Sequence, residues 1–98
     1  MKKGKPYPDI YIETSKKLGV HPDKCIVIED SKNGILAAKA AGMLCIGLKN
    51  INSGNQDLSN ADIIVNSIKE IKILRLFQLL YSKKFLLLII ITILNLII

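Results

Sequence analysis

Cys25-Ile26-Val27-Ile28 is an unbroken apolar run rich in β-branched residues, and two carboxylates, Glu29 and Asp30, follow it at once. A strand with one wet face alternates apolar and polar residues. A run without alternation suits a strand buried on both faces, which is the situation in a parallel sheet covered by helices. Parallel strands need crossover connections, and the flanking segments have the character of helices. Lys2 to Pro8 reads as a loop punctuated by Gly4, Pro6 and Pro8. Pro8 suits the first position of a helix, and Asp9 places negative charge in its first turn. Ile10, Tyr11, Ile12 and Leu18 carry that helix to Gly19, a natural stop.

Downstream, Ser31 is placed to cap a second helix that runs to Ala41 and stops at Gly42. Its alanines, Ala37, Ala38, Ala40 and Ala41, allow close packing on a sheet. Leu44 to Leu48 reads as a second strand, Lys49 to Asn60 as a polar loop, and Asp62 to Val65 as a third short strand. Ser67 opens a last helix through Ile68, Ile71, Leu74 and Leu79. The expected fold class is α/β, a partial Rossmann-like three-layer αβα core with a short parallel sheet of about three strands and an apolar C-terminal helix or tail. The division is a core segment over 1–72, an amphipathic terminal helix over 73–84 and an apolar tail over 85–98.

Charge follows the same division. All 8 acidic groups lie before residue 71, while residues 85–98 carry no charge. The net charge is +6, but the lysines are scattered, there is no Trp, and Tyr and Phe do not interleave with the basic runs. This is a solvated lysine-rich surface rather than a nucleic-acid footprint. Cys25 and Cys45 both sit in apolar runs, where they read as buried, reduced thiols of a cytoplasmic chain, neither a disulfide framework nor a zinc site. No signal peptide opens the sequence.

In open parallel sheets, ligands bind beyond the carboxyl ends of the strands, and Glu29-Asp30 occupies such a place. Two adjacent carboxylates there are costly without a compensating cation. Mg²⁺ is one candidate, since it takes one or two carboxylates together with phosphate oxygens and water. The alternative is that Asp30 merely caps the following helix. Lys5, in a Gly-Lys-Pro loop, could meet a phosphate as a point charge, or could be an ordinary solvated lysine. His21, in a Gly-Val-His-Pro turn, reads as exposed and inert, and Tyr81 as a packing residue.

Taken in order, Lys5-Pro6-Tyr7-Pro8-Asp9-Ile10-Tyr11, then Val27-Ile28-Glu29-Asp30-Ser31-Lys32-Asn33-Gly34-Ile35, then Ala37-Ala38-Lys39-Ala40-Ala41-Gly42-Met43 resembles the haloacid dehalogenase superfamily, in its β-phosphoglucomutase-like branch of phosphatases and phosphomutases. The resemblance spans residues 4 to 72, and Ala61-Asp62 with Ser67-Ile68-Lys69-Glu70-Ile71 looks like the family's usual ending. It implies that Lys5 steadies the nucleophile and the transferring phosphoryl group, that Asp30 binds Mg²⁺, and that Glu29 is its direct or water-mediated partner. Ser31 and Asn33 match polar positions of the same loop, as supporting residues behind the ligands. The implied substrate is a small phosphorylated metabolite.

One departure is large. The family's Asp-x-Asp motif, whose first Asp is the nucleophile, has no counterpart, because Asp9, Asp23, Asp30, Asp57 and Asp62 include no pair two apart. A lysine and a metal site without a nucleophile cannot form a phosphoaspartyl intermediate. The chain therefore reads as a C-terminal part of such a core, inactive alone. The alternative is a non-catalytic remnant or a membrane-associated interaction module. In the family, the nucleophile's strand lies beside the one that ends at Glu29. Without it, Cys25 to Ile28 is expected to be an exposed apolar edge, prone to self-association and low solubility.

Phe85 to Ile98 is wholly uncharged. As a helix, it would reach about 21 Å at 1.5 Å per residue, short of the roughly 30 Å of a bilayer core. A short anchor with Lys83 and Lys84 at the cytoplasmic interface is one reading. The bias towards Ile, Leu, Asn and Lys favours the other, a tail outside any evolved fold, as translation of AT-rich DNA after a frameshift would give.

Overall fold

The computed structural model describes residues 3–70 and 88–91. Within them the order is α1 (Asp9–Leu18), a 3₁₀ turn (Pro22–Lys24), β1 (Cys25–Glu29), α2 (Lys32–Ala40), β2 (Leu44–Leu48), a 3₁₀ turn (Ile51–Ser53), β3 (Ile63–Val65), α3 (Ile68–Glu70) and β4 (Leu88–Ile91). The strands form one sheet in the order β3-β2-β1-β4, every neighbouring pair parallel. In register, Val27 faces Cys45, Ile46 faces Ile63, and Cys25 faces Leu88. The α/β, partial Rossmann-like core expected from the sequence is the fold observed.

The apolar run behaves as its lack of alternation requires. Cys25 and Val27 face one side of the sheet, where Tyr11 of α1 and Ile35, Ala37 and Ala38 of α2 pack on them. Ile26 and Ile28 face the other side, with Ile46, Leu48 and Val65. All five residues of β1 are buried. Each fully buried Ile contributes about 1.5–3 kcal/mol relative to exposure, so this central strand anchors both layers.

The helix ends follow their residues. Gly19 closes α1 in the left-handed region at φ 68°, with the Val20 amide returning to the Ser15 carbonyl at 3.0 Å. Ser31 caps α2, its Oγ accepting from the Gly34 amide at 3.0 Å. Pro8 stands one position earlier than expected, at the N-cap, and its carbonyl accepts from the Tyr11 and Ile12 amides. The third strand begins at Ile63, because Asp62 does different work. The Asp62 Oδ2 accepts from the Cys45 amide and from the Lys39 ammonium, each at 2.7 Å.

Two expectations are corrected here. The β1 edge is not bare, since β4 pairs along it over Cys25–Ile28. The edge strands of the described sheet are β3 and β4. Residues 88–91 of the apolar tail form that strand and do not continue a helical membrane anchor. Among the described residues no helix is long and apolar enough to cross a membrane. The amphipathic helix expected over 73–84, Tyr81 and the rest of the tail lie outside the described residues.

Candidate functional site

Strand β1 ends in the interior and delivers Glu29 and Asp30 at its carboxyl end, where α2 begins. Successive residues of a strand point to opposite sides, and the two carboxylates separate accordingly.

Glu29 is 2% exposed. Its Oε2 accepts from the buried Tyr11 hydroxyl at 2.7 Å and from the Lys5 ammonium at 3.1 Å. Its Oε1 accepts from the Asp30 amide at 3.1 Å and the Ser31 hydroxyl at 3.3 Å. Lys5 is brought here by the loop before α1, on a cis Lys5–Pro6 peptide, and its ammonium lies 5.6 Å from the centre of the Tyr11 ring. A buried carboxylate is tolerable only when its charge and lone pairs are met in this way. Gly34 completes the enclosure. A Cβ there would lie 2.0 Å from Glu29 Cδ, so the first turn of α2 can approach the carboxylate only with glycine at this position.

Asp30 is half-buried and lines a cleft of about 710 Å³. The other walls come from the segment after β2, including Lys49, Asn50, Gln56 and Leu58, and from Ile64 of β3. The Oδ2 of Asp30 accepts from the Asn50 side-chain amide at 3.0 Å and from the Ser53 hydroxyl. Burial pushes the Asp30 pKa up, but the hydrogen bonds from Ser53 and Asn50, with smaller help from Glu29 and its own amide, outweigh burial. Its carboxyl therefore titrates below the ordinary value.

Lys5, Glu29, Asp30 and Ser31 are thus brought together. Asn33 is not, for it is exposed on α2 with no hydrogen bond to either carboxylate. The helix cap is Ser31, which removes the alternative that Asp30 serves in that role. His21 is exposed, and its Nδ1 lies 2.7 Å from the Asp23 carboxylate beside the turn at Pro22. Neither cysteine offers a substitute nucleophile. Burial first, then the charges of Glu29 and Asp62, push the Cys45 thiol up to about 12. Burial and Asp23 raise Cys25 as well.

Tyr11, Gly34, Asn50 and Ser53 were missed from the sequence. Gly34 left a signal, since a glycine inside a helix costs about 1 kcal/mol relative to alanine unless its missing side chain is needed. Tyr11 left a weaker one, a hydroxyl on an otherwise apolar helix face that must find a partner when buried. Asn50 and Ser53 left none that separates them from the other polar residues of their loop.

The donor chemistry suits a hard cation. One carboxylate, Asp30, opens to a cleft at the strand end beside the buried Glu29–Lys5 pair, and Mg²⁺ takes one or two protein carboxylates when phosphate and water supply the rest. Among the described residues no group of three or more His, Cys, Asp or Glu gathers to enclose a metal completely.

The chain is similar to known proteins over most of its described residues. Residues 1–42 match the family model for haloacid dehalogenase-like hydrolases. A CBBY-like protein of Arabidopsis thaliana is 48% identical over 66 residues, which are 67% of this chain and 21% of that protein. The beta-phosphoglucomutase of Bacillus subtilis (strain 168) is 38% identical over 69 residues, 70% of this chain and 29% of that enzyme. Among solved structures, CbbY from Rhodobacter sphaeroides in complex with phosphate superposes with a TM-score of 0.67 at 35% identity, over 72% of this chain and 32% of that one. Beta-phosphoglucomutase from Clostridium difficile gives 0.67 at 34% identity, over 85% of this chain and 35% of that one. The chain spans about a fifth to a third of the length of these relatives.

Proposed function

We propose a function for a chain that belongs to the haloacid dehalogenase-like hydrolase superfamily: it supplies the metal-and-lysine side of a Mg²⁺-dependent phosphoryl-transfer site. The relatives include phosphatases and a phosphoglucomutase. The substrate class is a small phosphorylated metabolite. Asp30 holds Mg²⁺ from the cleft, and the buried Glu29 stands behind it as the water-mediated partner, with Ser31 bonded to Glu29 and Asn33 apart on α2. The metal, when bound, neutralises phosphate oxygens. Lys5 holds Glu29 in place and presents a positive charge to the transferring group. Phosphoryl transfer needs this alignment and charge neutralisation more than covalent help from its surroundings.

The observation that supports the reading most directly is the 3.1 Å contact of Lys5 Nζ with Glu29 Oε2, immediately beside an Asp30 that faces the cleft. The two residues are far apart in sequence, and their contact brings the lysine's charge to the strand's carboxyl end, where open parallel sheets bind ligands. The sequence contains no Asp-x-Asp pair, so the nucleophile must come from another polypeptide segment, and this chain alone is inactive.

The test is hydrolysis of a generic aryl phosphate with Mg²⁺, by the wild-type chain and by Asp30→Asn. The expected result is no turnover above the metal-only background from either. Turnover by the wild type that Asp30→Asn abolishes would instead make the chain a self-sufficient enzyme.

A further inference from the structure

The segment from Asn50 to Gln56 is tied together more firmly than a polar loop of this composition suggests. Asn50 Oδ1 accepts from the Asn52 amide at 3.0 Å, which fixes the orientation of the Asn50 side chain. The Gln56 side chain donates to the Ser53 carbonyl at 3.1 Å, while its Oε1 accepts from the Lys32 amide at 3.0 Å. The loop is thereby secured to the start of α2, directly beside Asp30. From this fixed frame, Asn50 Nδ2 and Ser53 Oγ both donate to the same oxygen of Asp30.

An aspartate side chain has two torsions, and two donors converging on one oxygen from one secured loop settle both. Groups that orient a ligating carboxylate affect metal affinity although they never touch the metal. We propose that Asn50 and Ser53 are positioning residues for a divalent cation at Asp30: by holding Oδ2 they fix the plane of the carboxylate and direct its other oxygen to the cation. The cleft wall and the ligand are then one mechanical unit, since the same loop lines the cleft. This inference rests on the reading of Asp30 as a metal ligand.

The experiment titrates the full chain with Mn²⁺ and follows paramagnetic broadening of the amide resonances of residues 29 to 33, together with metal-free Tm. The variants are Ser53→Ala, Asn50→Ala, Ser53→Thr and Asp30→Asn. Ser53→Ala and Asn50→Ala are expected to weaken Mn²⁺ binding on the order of tenfold, and Ser53→Thr, which keeps the hydroxyl, to bind as the wild type does. A purely structural role would lower Tm and leave affinity unmoved. Should Ser53→Ala not fold, Asn50→Ala and Ser53→Thr still decide. Affinities of the alanine variants within about twofold of wild type overturn the positioning role alone. A wild type that binds Mn²⁺ no better than Asp30→Asn overturns the ligand role of Asp30 and this inference together.

Discussion

Glu29 and Asp30 are neighbours in the chain, yet they sit in two unlike regions. The Glu29 region is assembled from α1, the loop before it, β1 and α2, and it is closed. Tyr11 lies under it, Lys5 beside it, and the glycine-lined first turn of α2 over it. The Asp30 region is assembled from one loop and is open to the cleft. One carboxylate is held by burial and charge together, the other by donors on one side with solvent on the other. The difference teaches that an acidic pair need not act as a unit. Its inner member ties layers of the fold together, and its outer member can be exposed to a ligand at small cost in stability.

The comparison breaks or sharpens most on Lys5. Removing one partner of a buried ion pair costs about 3–5 kcal/mol. Since the Lys5 side chain is 30% exposed, Lys5→Met is expected at the lower end of that range in urea unfolding. A cost no greater than that of Asp30→Asn would erase the contrast between the regions. Next comes Gly34→Ala, which places a methyl 2.0 Å from Glu29 Cδ. Overpacking of this kind costs about 1–3 kcal/mol. The Tyr11 ring resonances, sensitive to the hydroxyl's contact with Glu29, should shift in the same variant. An unshifted Tyr11 would mean that Glu29 has room to move aside.

The smallest effect separates the regions by pH. The Asp30 pKa is lower in the folded chain than its ordinary 3.8. Its contribution to stability is therefore present above that value and is lost as pH falls through the folded pKa. Asp30→Asn should show a flatter dependence of stability on pH in this acid range than the wild type. Parallel curves would assign the hydrogen bonds from Asn50 and Ser53 no preference for the charged form.

Much of this arrangement was legible before any coordinates. Periodicity placed β1, β2, α1 and α2 closely, because each element carries its own punctuation at Gly19, Ser31 and Gly42. Asp30 and Lys5 were singled out only through the resemblance of their motifs to the family's, since spacing alone left each open to an ordinary role. The Tyr11 hydroxyl and the Asn50–Ser53 clamp were not, since each depends on a long-range approach that no local pattern encodes. The strand at residues 88–91 was not legible for a similar reason. A run of Leu and Ile is equally compatible with lipid, with a helix and with a strand, and only a partner such as β1 decides among them.

That partner arrangement has a temporal side. Cys25 pairs with Leu88, whereas Ile26 pairs with Leu44. Closing the longer loop carries the greater entropy cost, and β4 follows β1 in the chain. During synthesis, the first strand of this sheet waits beside its helices with one row of amides and carbonyls still addressed to water.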